Sequence, residues 1–140
     1  MIVIDEYLAV RVVLGDWPTE LPDDDLALPA SRHWRLLQAL HSPRGGQLSQ
    51  ILSLLPESDR DVVRHPRPEV FQVLDPRPLL DDAAAIAARY GGTGLLIAET
   101  LAAGLTLGRQ LWFGTATNVG RVVDRAAGEL GIAVHVADLS

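Results

Sequence analysis

Two adjacent acidic residues, Asp5 and Glu6, follow a short apolar segment at the start of the chain. Residues 1–4 are apolar, as expected of a strand buried on both faces of a parallel sheet, and residues 6–13 have the pattern of a short helix. Asp5 is therefore predicted at the carboxyl end of a strand, where open α/β sheets bind their ligands. The residues alone leave a second interpretation equally open, because Asp is also a favoured N-cap of a following helix.

A second segment with chemical potential is GTATNVG, at residues 114–120, which contains Thr115, Thr117 and Asn118. A Gly- and Thr-rich turn that enters a helix is suited to anions, because its free N–H groups and the helix dipole both favour negative charge. The segment lacks the Lys and the spacing of a nucleotide-binding P-loop. It predicts contact with a phosphate group.

Composition limits the class of protein. The chain has 140 residues, 48% of them hydrophobic, which fits one domain over residues 1–140. Neither a membrane span nor a secretory signal is visible, so we expect a cytoplasmic protein without a membrane partner. The absence of cysteine excludes thiolate metal sites, and the net charge of −6 argues against nucleic-acid binding by the whole surface, though not by a local basic face.

The order of elements predicts the fold class. Strands are expected at residues 1–4, 26–30, 70–74, 110–113 and 132–137, with helices between them. We predict that one helix is capped by Ser31 and buries Trp34, and that a polar segment at residues 59–69 precedes the third strand. Short strands alternating with helices predict a three-layer α/β/α sandwich with a mainly parallel central sheet of about five strands.

This layout resembles the PIN domain, the metal-dependent nuclease fold of VapC-type bacterial toxins. The resemblance is carried by MIVIDEYLAV at the start and by the half of the chain from VFQVLDPRPLLDDAAAIAARYGG to GELGIAVHV. It implies a ribonuclease that cuts RNA with Mg²⁺ or Mn²⁺, a cognate antitoxin as partner, and a homodimer. Hard ions such as these are held by several converging carboxylates.

Compared position by position with the PIN pattern, Asp5 matches the first acid. Arg35 stands where the family carries a Glu, and Glu99 lies about two residues after the third acid, which is a rotation of about 200° on a helix. At the fourth position the chain has uncharged groups in place of an Asp, and these would line the cleft and bind phosphate: Thr115, Thr117 and Asn118.

Two hypotheses follow. In the first, the chain is a PIN-like ribonuclease and toxin, with Asp5 and Glu99 as catalytic residues and Asp5, Glu6 and Glu99 as metal ligands. In the second, it is a catalytically silent PIN-like module that binds protein or RNA. Both require that Asp5 faces away from bulk water and that the neighbouring strands run parallel to the first; three or more carboxylates within about 6 Å of Asp5 would favour the enzyme.

Overall fold

The computed structural model describes residues 1–42, 44–91 and 93–137, which form a five-stranded sheet with helices on both faces. All pairs of neighbouring strands are parallel, and the spatial order is β3-β2-β1-β4-β5. The strands are β1 (Ile2–Ile4), β2 (Leu26–Leu28), β3 (Gln72–Val73), β4 (Gln110–Phe113) and β5 (Ala133–Val136). The predicted three-layer α/β/α fold with a parallel central sheet is confirmed.

Seven α-helices lie in the described residues. They are α1 (Glu6–Val13), α2 (Ala30–His41), α3 (Gln47–Ser53), α4 (Glu57–Arg64), α5 (Leu80–Arg89), α6 (Leu95–Thr106) and α7 (Gly120–Leu130), and a 3₁₀ turn (Arg77–Leu79) precedes α5. None of these helices is long and apolar enough to cross a membrane.

Alternate residues of β1 separate two hydrophobic cores. Ile2 and Ile4 pack into a core that includes apolar residues of α1 to α4, while Val3 packs into a second core with residues of α5, α6 and α7. Because successive side chains of a strand point to opposite faces, an apolar segment such as β1 is suited to the centre of a sheet covered on both sides.

The polar segment predicted at residues 59–69 overlaps α4 (Glu57–Arg64), whose single buried residue is Val63. Two predictions about α2 were wrong. Pro29, and not Ser31, is the N-cap of α2, so Ser31 lies in the first turn of that helix. Trp34 is 61% exposed, because the side of α2 that packs on the core carries Arg32, Leu36 and Leu40 instead.

The strand order creates a crevice at one edge of the sheet. β1 is central and pairs with β2 on one side and with β4 on the other, so the chain leaves the ends of β1 and β4 towards opposite faces of the sheet. Such a switch point opens a crevice outside the carboxyl ends of the two strands, which is where sheets of this type bind ligands. Asp5 and Glu6 follow β1 there, and residues 114–118 follow β4.

Candidate functional site

Asp5 is fixed at the switch point by donors from both sides. Its side chain is 1% exposed, and its Oδ1 accepts hydrogen bonds from the backbone N–H of Leu8 (2.8 Å) and of Gly114 (2.9 Å). The first bond makes Asp5 the N-cap of α1, so the capping role is confirmed, and the second ties it to the end of β4. A Cβ on residue 114 would lie 2.8 Å from the Leu8 nitrogen, so glycine permits this close approach.

Glu6 is fully buried and surrounded by donors. Its Oε1 accepts from Arg32 Nη1 (2.7 Å) and from Asn118 Nδ2 (2.7 Å), and its Oε2 accepts from Arg35 Nη1 (3.0 Å). Arg32 is itself 1% exposed, and its Nε donates to Thr100 Oγ1 (2.7 Å). A buried carboxylate with two guanidinium partners has its charge compensated inside the protein.

Asn118 joins the two acids. Its Nδ2 donates both to Glu6 and to Asp5 Oδ2, each at 2.7 Å, while its Oδ1 accepts from Arg35 Nη1 (3.1 Å). Two carboxylates that share one nitrogen lie side by side, and this proximity affects their protonation. Burial, and next the negative charge of Glu6, raise the pKa of Asp5 to about 6, against the lowering effect of the Asn118 hydrogen bond.

Glu99 stands apart from this cluster in its bonding. It lies in the second turn of α6, is 1% exposed, and its Oε1 accepts from both the backbone N–H (2.9 Å) and the hydroxyl (3.0 Å) of Ser31. Its Oε2 receives no hydrogen bond from the described residues. Glu99 therefore keeps one oxygen available although the side chain is buried.

An open, mainly apolar pocket of about 710 Å³ borders Glu99 and Arg35. It lies between α2, the 3₁₀ turn and the first turns of α5 and α6, and its lining includes Trp34, Leu80 and Leu95. These three apolar side chains are largely exposed to solvent. A concave apolar surface with a few polar groups is the usual form of a ligand site.

The two predicted threonines contribute differently from Asn118. The hydroxyl of Thr115 accepts from the backbone N–H of Asn118 (3.2 Å) and so supports the loop. Thr117 is exposed and lines a separate open pocket of about 430 Å³ with Arg121 and Asp124. Of the predicted cleft residues, Asn118 and Arg35 therefore contact the acids directly.

The arrangement of Asp5, Glu6 and Glu99, which were predicted as metal ligands, does not fit a divalent ion. Among the described residues, no three acidic or histidine side chains are grouped as a metal site requires. The physical reason is visible in the hydrogen bonds, since guanidinium and amide groups occupy both oxygens of Glu6, and Ser31 holds Glu99. Binding of Mg²⁺ or Mn²⁺ stays a prediction of the resemblance.

Sequence reasoning did not include Arg32, Ser31 and Thr100 among the site residues. A signal was present for Arg32, because Arg32 and Arg35 are three residues apart and so share one helix face, which is the face that meets Glu6. Ser31 and Thr100 left no comparable signal, since each acts through a contact between α2 and α6.

The chain matches no protein-family model and no curated protein.

Proposed function

We propose that the chain is a catalytically silent PIN-like module that binds single-stranded RNA at the carboxyl edge of its sheet without cutting it. The observation that carries this proposal is the bonding of Glu6, which pairs with Arg32 and Arg35 while Asn118 links it to Asp5. Affinity for a hard divalent ion rises with the number of uncompensated oxygen charges. Here Arg32 and Arg35 neutralise the charge of Glu6, which removes one of the three carboxylates from the set that such an ion needs.

The binding half of the proposal rests on the groups that remain accessible. The Arg35 side chain is 39% exposed, and Trp34 beside it in the pocket presents its indole to solvent. Unstacked bases bind to proteins by stacking on aromatic rings and guanidinium planes. Because the chain carries a net charge of −6, we expect contact with a few nucleotides at this edge and a weak dependence on salt.

A metal-dependent ribonuclease is the second candidate, favoured by the raised pKa of Asp5 and by three carboxylates buried near one edge. Acids with perturbed pKa values are concentrated at catalytic sites, although structural ion pairs also shift the pKa of an acid. The cognate antitoxin and the homodimer implied by the resemblance are part of both proposals.

Cleavage and binding of RNA separate the two candidates. A mixed pool of labelled RNA is incubated with wild type and with Asp5→Asn, in Mg²⁺ or Mn²⁺ and in EDTA. We expect intact RNA in every case, no saturable Mn²⁺ binding by calorimetry, and RNA binding that persists in EDTA. Cleavage by wild type that requires metal and is lost in Asp5→Asn would establish the ribonuclease instead.

The contribution of the pocket is measured with a matched pair of tryptophan variants. Trp34→Ala is expected to weaken RNA binding by about tenfold, since stacking of one base contributes about 1–3 kcal/mol. Trp17→Ala removes another exposed tryptophan, which lies in the loop between α1 and β2, and should leave the affinity unchanged. Equal weakening in the two variants, or no RNA binding by wild type, contradicts the proposal.

A further inference from the structure

Glu99 Oε2, which accepts no hydrogen bond within the described part of the chain, indicates the polarity of the pocket's ligand. Glu99 is the only acid among the described residues that line this pocket, and Ser31 uses its other oxygen. A carboxylate taken out of water requires further donors to offset its loss of hydration. A ligand that covers this oxygen must therefore bring a hydrogen-bond donor to Glu99, and the shape of the pocket decides which kind.

The remaining walls define the shape of the ligand. Trp34, Leu80 and Leu95 are 61%, 48% and 57% exposed, so a bound group has apolar surface to cover. A flat ring gains most from such a surface, because an aromatic face stacks well on an indole. A volume of about 710 Å³ is ample for a base with its sugar.

Arg35 adds a positive charge to the lining of the pocket. Its Nη1 donates to Glu6 and Asn118, but its Nε and Nη2 donate to none of the described residues. A ligand that satisfies both Glu99 and Arg35 carries N–H donors on a ring and an anionic group nearby. A cationic peptide side chain would pair with Glu99 but would place a second positive charge beside Arg35.

We infer that the pocket binds guanine, as a free nucleotide or as a residue of RNA, with Glu99 accepting from the donor edge of the base and Trp34 stacking on its ring. Guanine presents a ring N–H and an amino group along one edge. Adenine presents a bare ring nitrogen at the corresponding position, whose lone pair would face the carboxylate oxygen. This inference rests on the proposed RNA-binding function and names the base that the site selects.

Calorimetry in EDTA with GMP and AMP tests the base, and fluorescence of the tryptophans provides a second readout. We expect GMP to bind at least about tenfold more tightly than AMP, as a well-paired base edge provides. Glu99→Gln should reduce this ratio to near one, because an amide NH₂ meets the donor edge while the amide oxygen still accepts from Ser31. The matched variant Glu69→Gln changes an exposed acid outside the pocket and should retain the full preference.

Short RNAs distinguish the two sources of the base. Single-stranded oligomers with one guanine among adenines are compared with all-adenine oligomers and with GMP. Tighter binding of the guanine oligomer than of GMP identifies RNA as the ligand, and the reverse identifies the free nucleotide. Circular dichroism and the melting temperature of each variant show whether it is folded.

Two results would overturn the inference. One is equal affinity for GMP and AMP, or none for either, in folded wild type. The other is a tryptophan fluorescence response to a cationic amphipathic peptide but not to GMP, present in wild type and lost in Trp34→Ala, which would make the pocket a protein-docking site. All of these measurements omit metal, so they are independent of the cleavage assay. Guanine binding that fails while RNA is still bound uncut removes this inference and leaves the proposed function intact.

Discussion

Glu6 and Glu99 are both buried glutamates near the same edge of the sheet, yet their surroundings differ. Glu6 accepts three charge-assisted or amide hydrogen bonds over both oxygens, from Arg32, Arg35 and Asn118. Glu99 accepts two bonds on a single oxygen, both from Ser31, and faces an open pocket. The described residues therefore provide hydrogen-bond donors to both oxygens of Glu6 but to only one oxygen of Glu99.

This difference separates a structural role from a binding role. Burying a charge is tolerated when ion pairs and hydrogen bonds compensate it, and a fully bonded acid has little capacity left for a ligand. An acid with an unused oxygen next to an accessible pocket has that capacity. We therefore propose that Glu6 stabilises the switch point, whereas Glu99 is the acid that binds the ligand.

The same substitution at the two positions tests this assignment most directly. Glu6→Gln leaves the buried Arg32 guanidinium without its anionic partner, and we expect a loss of about 3–5 kcal/mol in the free energy of unfolding. Glu99→Gln keeps an acceptor for Ser31 and removes a buried charge, so we expect a change of less than about 1 kcal/mol. Urea denaturation at pH 7 measures both.

Each half of this prediction has its own contradiction. Equal losses in the two variants would mean that Glu99 is as deeply involved in stability as Glu6. A small loss for Glu6→Gln would mean that Arg32 finds other partners. In the Glu6→Gln/Arg32→Leu double variant both charges of the pair are gone, so its loss should be smaller than the sum of the single losses.

The pH dependence of stability extends the comparison to Asp5. Its pKa is raised from 3.8 to about 6 in the folded protein, chiefly by burial. Between these values the folded state binds more protons than the unfolded state, so stability falls as pH rises from about 4 to about 6 and is constant with respect to this group above that range. The size of the effect is on the order of 3 kcal/mol.

Asp5→Asn isolates this contribution. The difference in unfolding free energy between wild type and the variant should decrease across the same pH window and level off above it. A constant difference in unfolding free energy from pH 4 to pH 7 would show that folding does not raise the pKa of the Asp5 carboxyl. The Glu69→Gln variant, which changes an exposed acid, provides the baseline.

The fold and the position of Asp5 could be predicted from the sequence for clear physical reasons. The apolar residues of β1 specify a strand covered on both sides, and the rule for ligand sites at strand ends then locates Asp5. Asp5 is indeed buried, and its strand does pair in parallel with both neighbours. These features depend on local pattern and on general topology.

The hydrogen-bond partners of Glu6 and Glu99 could not be predicted from the sequence in the same way. Their roles depend on which side chains reach across from α2, and that helix begins two residues earlier than a cap at Ser31 would place it. Ser31, predicted as a cap, instead lies in the first turn and binds Glu99. Residue spacing gives a helix face, but it does not give the residue on the opposite element.

A small effect is also predicted for the contact that holds Glu99. Ser31→Ala removes the hydroxyl donor and keeps the backbone N–H, so we expect a loss of about 1 kcal/mol, partly offset by the higher helix propensity of alanine. Ser53→Ala is the matched control, because that hydroxyl is exposed and donates to a carbonyl of its own helix. If the Ser31 contact is structural, thermal denaturation should show a larger loss of stability for Ser31→Ala than for Ser53→Ala. Because Glu99 would then have lost a donor, Ser31→Ala should also strengthen GMP binding, and a weaker affinity would show that Ser31 positions Glu99 for the base.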